Sequence, residues 1–223
     1  MTRTIGHKRS PTHTTNVNYA IILSVLVAVL MVVAAVLLNT AFGAAPAAAP
    51  TVSAGRVWGR ANAPVNVEVF SDFQCPFCAR ADAMLHQIAP AYIDTGKAKI
   101  TYRYFAFLGD ESQWAANAAE CASTQGQFWV FANTLFTHQA GENAGAFTRN
   151  NLKRFASGLG LSPNSFNACV DSDKYAGVVQ QDTRDGQQRG VRSTPTFFVN
   201  GRMIEGVLSP AQFTALLDSI QSK

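Results

Sequence analysis

Two cysteines separated by two residues, Cys75 and Cys78, have the spacing that most directly indicates chemistry. Cysteines three positions apart at the start of a helix can bridge each other, and the free N–H groups and dipole of the helix stabilise a thiolate there. Because the thiolate is the reactive form, Cys75 is the candidate nucleophile and Cys78 the candidate resolving thiol of a disulfide exchange. The intervening dipeptide, Pro76 and Phe77, adds no positive charge.

A static disulfide and half of a zinc site are the alternatives for this motif. A tetrahedral zinc site usually needs a second pair of ligands at similarly short spacing. The other two cysteines, Cys121 and Cys169, are far apart in sequence, and no histidine motif accompanies them. The sequence therefore favours redox chemistry, and we expect neither a metal nor a cofactor.

The elements around the motif follow from hydrophobic periodicity. Residues 64–70 alternate apolar and polar side chains, which indicates a β-strand, and apolar residues recur at helical spacing from Pro76 to about Tyr92. Proline is tolerated in the first turn of a helix, because its missing N–H has no partner there in any case. The pattern therefore predicts a strand-to-helix turn with Cys75 at the helix N-terminus.

The remainder of the chain predicts a second strand, a helical block and a hairpin. Residues 97–107 are rich in β-forming side chains, and residues of about 111–187 have helical patterns punctuated by Gly and Pro. Asn200 and Gly201 lie between two short strands, which is a strong hairpin signal, and a last helix opens at Pro210. This order predicts an α/β sheet with a helical insertion.

A second element of interest is Thr194-Pro195, directly before the predicted strand at 196–199. A cis peptide bond there would be a deliberate feature of a tight turn, and an ordinary trans turn is the alternative. Its position after the helical block and ahead of the hairpin favours the first interpretation.

Two segments together resemble the DsbA-like branch of the thioredoxin superfamily. They are Phe70-Ser-Asp-Phe-Gln-Cys-Pro-Phe-Cys78 and Gly190-Val-Arg-Ser-Thr-Pro-Thr-Phe-Phe-Val-Asn-Gly201, and the resemblance extends over about residues 57–220. It implies a thioredoxin-like fold in which the CxxC motif lies beside a cis-proline loop that contacts the substrate backbone. On this resemblance Thr194 and Pro195 form that loop, and Cys75 and Cys78 are the nucleophile and the resolving thiol.

The chain departs from the family at one position. Many members carry a buried acid six residues before the first cysteine, where this chain has Val69, with Glu68 one residue earlier. A shift of one residue along a strand turns the side chain to the other face. Glu68 is therefore a candidate proton relay to Cys78 only if a bulge restores its direction, and a solvated strand residue otherwise.

The second cysteine pair has two interpretations. Cys121 and Cys169 lie on the first and fourth predicted helices of the block. They are either a second redox pair or a structural disulfide that clamps the insertion, and the lack of a helix-start position or a neighbouring proline favours the clamp. Three aromatic residues, Phe73, Phe77 and Phe107, are candidates for an apolar substrate groove, with core packing an equal alternative.

The N-terminal region predicts a membrane anchor. Residues 19–38 contain no charge, proline or glycine, and a helix of that length spans a hydrocarbon core of about 30 Å. We expect a cytoplasmic basic tail at 1–18, a single transmembrane helix at 19–40, an Ala/Pro linker at 41–55 and an extracytoplasmic domain at 56–223. A cleaved signal peptide is the alternative for the apolar run.

The charge distribution supports this orientation and argues against nucleic-acid binding. Three of the 18 basic residues, Arg3, Lys8 and Arg9, precede the apolar run, and the rest nearly balance the 14 acidic residues. All four cysteines follow the run, in a region where an oxidising compartment would permit two pairs.

Together these features predict an extracytoplasmic thiol–disulfide oxidoreductase that donates a disulfide to exported cysteine-containing proteins. The alternatives are a disulfide reductase or isomerase of the same compartment, and a non-catalytic anchored binding module. The resemblance implies a quinone-coupled membrane reoxidant of the DsbB or VKOR type as a partner. We expect a monomer that contacts the membrane through residues 19–40.

Overall fold

The computed structural model describes residues 15–41 and 53–221. The chain separates into two compact units, residues 1–46 and residues 47–223. The first unit contains helix α1 (Thr15–Ala41), which begins within the range predicted as a basic tail. Among the described residues, no helix combines the length and the apolar character that crossing a membrane requires, so the anchor predicted at 19–40 is not confirmed.

The second unit contains, within its described residues, a six-stranded sheet with the strand order β1-β2-β4-β3-β5-β6. Its strands are β1 (Ser53–Ala54), β2 (Val57–Trp58), β3 (Val65–Ser71), β4 (Ala98–Tyr104), β5 (Thr196–Val199) and β6 (Arg202–Glu205). The two central pairings are parallel between β3 and β4 and antiparallel between β3 and β5. Strand β3 thus lies in the middle of the sheet, and the chain leaves it directly into the CxxC motif.

Alternation along β3 gives the sheet two packed faces. Val65, Val67 and Val69 are buried in the main hydrophobic core. Phe70 points to the other face, where it packs in a smaller cluster with Phe105, Val191 and Phe198. The sheet therefore buries apolar side chains on both sides, as expected for a sheet with helices on both faces.

The helices of the second unit divide into flanking helices and an insertion. They are α2 (Pro76–Tyr92), α3 (Asp110–Ser123), α4 (Phe128–Thr137), α5 (Arg149–Gly158), α6 (Pro163–Asp171), α7 (Ala176–Gln188) and α8 (Pro210–Gln221). Helices α3–α7 lie between β4 and β5 in the chain, where the sequence predicts a helical block. The predicted α/β class with a thioredoxin-like order of elements is confirmed.

The first hairpin of the sheet was not predicted from the sequence. Ser53 and Ala54 fall in the range predicted as a linker, but they pair with Trp58 and Val57 across a turn at Gly55, where φ is +57°. Strands of two residues are too short to show an alternating pattern, so periodicity could not reveal them. The linker prediction is therefore wrong at its C-terminal end, and residues 42–52 lie outside the described residues.

A disulfide ties together two helices of the insertion. Cys121 on α3 and Cys169 on α6 are bonded at an S–S distance of 2.03 Å and close a loop across 48 residues. Both half-cystines are buried. The bond lies in the helical insertion, whereas Cys75 and Cys78 are both free thiols.

Replacing Cys121 and Cys169 together by Ser should lower the thermal midpoint by about 10 °C. Opening a loop of 48 residues costs about 4 kcal/mol in the chain-entropy model, and in a domain of this size each kcal/mol shifts the midpoint by about 2–4 °C. Circular dichroism during heating measures the midpoint. Dithiol oxidation should persist in this variant below its midpoint, and an unchanged midpoint would contradict the clamp.

Helix α7 approaches the smaller core cluster through Gly186. A Cβ atom added at Gly186 would lie 2.8 Å from Cδ2 of Phe105 and 3.0 Å from Cδ1 of Phe70, two buried rings that meet edge to face with centroids 6.4 Å apart. The same helix contains Gly177, where an added Cβ meets nothing within 4 Å. The two glycines therefore form a matched pair.

Gly186→Ala should destabilise the protein by about 1–3 kcal/mol, because the cluster has no room for an extra methyl group. Gly177→Ala should instead be neutral or stabilising by up to about 1 kcal/mol, since alanine favours helix without a new clash. Chemical denaturation of both variants gives the free energies of unfolding. Equal effects at the two positions would show that helix propensity, not packing, decides the outcome.

Candidate active site

The CxxC motif lies at the turn from β3 into α2. Cys75 is the N-cap of α2, with φ −75° and ψ 120°, and Pro76 is the first helical residue. Cys78 lies one turn into the helix and is 1% exposed, compared with 6% for Cys75. The N-terminal N–H groups of the helix therefore face the more accessible thiol, which is the arrangement that favours its thiolate.

The loop before β5 lies against Cys75. The Thr194–Pro195 peptide bond is cis, and the Sγ atom of Cys75 is 3.4 Å from the carbonyl oxygen of Thr194. The carbonyl of Pro195 accepts a hydrogen bond of 2.8 Å from the N–H of Gly206, which fixes the loop to the far end of the hairpin. The structure thus brings together the two segments that are 119 residues apart in sequence.

A buried carboxylate holds the segment that leads into the motif. Asp72 is 1% exposed and accepts hydrogen bonds from the Ser112 hydroxyl at 2.6 Å and from the N–H groups of Gln74, Phe107 and Leu108 at 2.8, 3.0 and 3.2 Å. Burial raises the pKa of Asp72, and these four donors oppose that rise. The carboxylate therefore joins the motif loop to the end of β4 and to helix α3.

The segment after α4 holds the motif loop from the other side. The side-chain amide of Gln139 donates to the carbonyl oxygens of Phe73 at 2.7 Å and of Cys75 at 3.0 Å. The N–H of Asn143 donates to the side-chain carbonyl of Gln74 at 2.6 Å. The helical insertion therefore positions the nucleophile as directly as the sheet does.

The two thiols have opposite acid strengths. A hydrogen bond from the Cys78 thiol, with further contributions from Thr194 and from the N–H groups of Phe77 and Cys78, lowers the pKa of Cys75 to about 6, against the effect of burial. Burial, and then the neighbouring Cys75 sulfur, raises the pKa of Cys78 well above its ordinary range. Near neutral pH the reduced site therefore holds one thiolate, at Cys75, and one thiol, at Cys78.

Glu68 does not face the motif, so the prediction of a proton relay at this position is wrong. Its carboxylate accepts two hydrogen bonds from the guanidinium of Arg189, at 3.0 and 2.9 Å. Pairing of β3 with β4 runs without interruption, so no bulge turns the side chain. Alternation along the strand instead points Val69 toward the cavity beside Cys78.

The three aromatic candidates separate into core and surface. Phe73 is buried and stacks on Tyr102 with ring centroids 5.1 Å apart, so it belongs to the core. Phe77 and Phe107 are 52% and 48% exposed. Only these two are therefore placed where a substrate could touch them.

Sequence reasoning missed the residues that support the motif loop. Asp72 lies within the segment that carries the family resemblance, but its partner Ser112 is 40 residues away and carries no local signal. Gln139 likewise contacts Cys75 across 64 residues. One missed residue had a readable signal: Asp82 is an acid four residues after Cys78, on the apolar face of the predicted helix.

The family assignment follows from the sequence match and the site together. A family model described as Thioredoxin matches residues 51–219, which is more than half of the chain. The chain belongs to the thioredoxin family. The matched range includes the CxxC motif, the cis-proline loop and the helical insertion between them, and the predicted membership of the thioredoxin superfamily is confirmed.

Solved structures with the same fold include several DsbA-type proteins. Oxidised BdbD from Bacillus subtilis has a TM-score of 0.71 at 25% identity, with 78% of this chain and 96% of that chain covered. A thioredoxin-like oxidoreductase from Silicibacter pomeroyi has a TM-score of 0.65 at 25% identity, with 75% and 92% covered. Reduced DsbA from Mycobacterium tuberculosis, at 22% identity with 77% and 94% covered, has a TM-score of 0.63 and supports the fold alone.

The curated relatives that match this chain in sequence are named as Na(+)/H(+) antiporters. The Na(+)/H(+) antiporter NhaA 3 of Salinispora tropica is 32% identical over 168 residues, which are 74% of this chain and 24% of that protein. NhaA 1 of Mycolicibacterium gilvum is 29% identical over 167 residues, 73% of this chain and 26% of that protein. The chain spans about a quarter of the length of these relatives, so we carry no antiporter activity over to it.

The Cys75 thiolate should titrate with a midpoint near pH 6 in the reduced protein, as measured by its ultraviolet absorbance. Because the largest cause is the hydrogen bond from Cys78, Cys78→Ala should raise the midpoint toward the ordinary value. Cys78→Ser, which keeps a hydroxyl donor, should raise it less. A wild-type midpoint at the ordinary value, or equal midpoints in the two variants, would contradict the assignment.

The same shift fixes the sign of a stability change. The pKa of Cys75 is lower in the folded reduced protein than the ordinary 9.0. Its contribution to stability is therefore full above that ordinary value and is lost as the pH falls through about 6. The oxidised protein lacks this contribution and is the matched control.

Proposed function

We propose that this chain is an extracytoplasmic dithiol oxidase that donates a Cys75–Cys78 disulfide to exported cysteine-containing proteins. The observation that carries the proposal is the position of Cys75 at the N-terminus of α2 beside the cis-proline loop, with Cys78 buried one turn further on. This arrangement lowers the pKa of Cys75 and raises the pKa of Cys78. A thiolate that is stable at neutral pH stabilises the dithiol form of the site. The corresponding disulfide is therefore a strong oxidant, which readily passes its bond to a substrate.

The exchange proceeds in two steps. A substrate thiolate attacks the Sγ atom of Cys75, which forms a mixed disulfide and releases Cys78 as the leaving thiolate. A second substrate thiolate then attacks the substrate sulfur of that mixed disulfide, which releases Cys75 as a thiolate. Because the pKa of Cys75 is low, it is a good leaving group in this second step. The substrate gains a disulfide and the site gains two electrons and one proton.

The cis-proline loop is proposed to align the substrate with Cys75. The Thr194 carbonyl lies 3.4 Å from the Cys75 sulfur, so a chain that follows the loop passes close to the nucleophile. Exposed Phe77 and Phe107 offer apolar contacts beside it. Backbone contacts combined with apolar contacts select for an unfolded or extended substrate rather than for a particular sequence.

The compartment and the partners are proposed from the sequence. The apolar run at 19–38, preceded by basic residues, supports a single-pass anchor at 19–40 with a cytoplasmic N-terminus. The Cys121–Cys169 disulfide supports an oxidising compartment for the second unit. Each turnover leaves two electrons on the site, so an electron acceptor is needed, and we propose a quinone-coupled membrane reoxidant of the DsbB or VKOR type. A monomer suffices for this chemistry.

In intact cells, the Cys75–Cys78 pair should be found mainly oxidised. The measurement is thiol trapping with a membrane-impermeant maleimide of large mass, before and after brief reduction with dithiothreitol. The experiment is carried out in the Cys121→Ser/Cys169→Ser double variant, so that only the thiols of Cys75 and Cys78 can be labelled. After reduction, the Cys75 thiolate should react from outside the cell, because the proposed domain is extracytoplasmic, whereas Cys78 is buried and protonated.

Two results would overturn the proposal. A Cys75–Cys78 pair that is mainly reduced in cells would indicate the reductase or isomerase alternative. A reduction potential of the purified protein near thioredoxin's roughly −270 mV, rather than nearer DsbA's roughly −120 mV, would support the same alternative. Thiols that react only after the membrane is permeabilised would place the domain on the cytoplasmic side.

A further inference from the structure

A small cavity adjoins the buried thiol of Cys78, between α2, β3, β4 and α4. Its volume is about 10 Å³, close to the room that one water molecule needs. Most of the residues that line the cavity are apolar, but three of them carry oxygen atoms in their side chains: Ser71, Asp82 and Tyr102. The indole N–H of Trp129, which also lines it, has no hydrogen-bond partner among the described residues.

Asp82 carries the one carboxyl group among the described residues that line this cavity. It follows Cys78 by one helical turn on α2, and side chains four residues apart on a helix have Cβ atoms about 5–6 Å apart. Asp82 is 7% exposed, whereas a carboxylate without a cation is rarely buried. Its burial beside a thiol that must gain and lose a proton requires an explanation that packing does not supply.

The groups that face Asp82 come from four elements. On α2 these are the Cys78 thiol and His86, whose Nε2 is 3.6 Å from a carboxylate oxygen of Asp82. Ser71 on β3 and Tyr102 on β4 share the cavity, and the side chain of Asn133 on α4 hydrogen-bonds to Asp82.

These surroundings leave Asp82 able to exchange a proton near neutral pH. Burial raises the pKa of Asp82 to about 7, against the opposing effect of the Asn133 hydrogen bond. Burial also lowers the pKa of His86, so the imidazole is neutral under the same conditions. The pKa of Tyr102 is raised well above its ordinary range by burial, so its hydroxyl stays protonated.

We propose that Asp82 takes the proton from Cys78 when this thiol attacks and returns it when Cys78 leaves, directly or through a water molecule in the cavity. The inference rests on dithiol exchange at Cys75 and Cys78, but not on the direction of that exchange. It assigns to α2 the role that the family resemblance placed on β3, where Glu68 points to the other face of the sheet.

Protons and electrons balance in the donation of a disulfide. Substrate thiolate attacks Cys75, the Cys75–Cys78 bond breaks and its electron pair goes to the Cys78 sulfur. The Asp82 carboxylic acid donates its proton to that sulfur, which leaves a Cys78 thiol and an Asp82 carboxylate. In the reverse direction the Asp82 carboxylate removes the Cys78 proton, and the resulting thiolate attacks the mixed disulfide at Cys75.

His86 is a partly exposed neighbour of Asp82. Its side chain is 23% exposed, compared with 9% for the Asp82 side chain, and its ring packs on Trp58 with centroids 4.8 Å apart. The neutral imidazole beside the carboxyl can pass a proton between the cavity and the surface. A proton that passed through His86 would not cross the substrate position at Cys75.

The test uses the full chain, purified in detergent and reduced, with the aromatic disulfide dithiobis(nitrobenzoate) as oxidant in a stopped-flow instrument. The Cys75 thiolate attacks the reagent and releases one thionitrobenzoate, and Cys78 then attacks the mixed disulfide and releases a second. The first phase reports Cys75 and the second reports deprotonation of Cys78. The variants are Asp82→Asn and, as a matched control for an acid near the motif, Glu68→Gln.

We expect Asp82→Asn to slow the second phase at pH 7 by at least about tenfold, at the lower end of general-base effects, and to leave the first phase within about twofold. In wild type the second-phase rate should rise with pH and level off above about 7, where Asp82 is ionised. In Asp82→Asn it should rise continuously with pH. Glu68→Gln should resemble wild type in both phases.

Three results would overturn the inference: an Asp82→Asn second phase equal to wild type, equal slowing of both phases, or the same loss in Glu68→Gln. If Asp82→Asn does not fold, the wild-type profile alone decides, because a second phase that rises without levelling off contradicts the proposal. A wild-type protein that releases no thionitrobenzoate in either phase would instead reject the dithiol exchange itself.

Discussion

One hydrogen bond, from the thiol of Cys78 to the sulfur of Cys75, is the interaction on which the rest of the site depends. Two cysteines one turn apart would titrate alike in water, but here one is at the helix N-terminus and the other is inside the core. Burial keeps the proton on Cys78, and that proton then stabilises the negative charge on Cys75. The difference between the two thiols is therefore a property of their positions, not of their chemistry.

This difference survives only if the motif loop holds its geometry. The motif loop follows the C-terminal end of the central strand β3, and Asp72 ties it to the end of β4 and to α3 through a carboxylate with four donors. Gln139 holds the carbonyl of Cys75 from the insertion, and Thr194 closes the third side. Apart from the local bond from the N–H of Gln74 to Asp72, these contacts join segments distant in sequence, so the site forms only when the whole second unit is folded.

That distribution explains how much the sequence could predict. Strand β3 and helix α2 follow from periodicity, and strand alternation shows why Glu68 points away from the motif. Gln139 contacts Cys75, which is 64 residues away in sequence, and no local sequence pattern predicts a contact over that separation. The hairpin of β1 and β2 has strands of two residues, below the length at which a period exists. The sequence shows Asp82 as an acid on the apolar face of a helix, but its proposed role could be inferred only from the cavity that the folded structure places beside Cys78.

The hydrogen bonds of Gln139 and Asp72 have a consequence for anyone who would transplant this motif. The four residues from Cys75 to Cys78 are short enough to graft onto another thioredoxin scaffold, but the donors that fix their carbonyls and their entry strand belong to the insertion. A graft without Ser112 and Gln139 would carry the sulfurs and leave behind the frame that orients them. The smallest transferable unit of reactivity in this chain therefore includes the helical insertion.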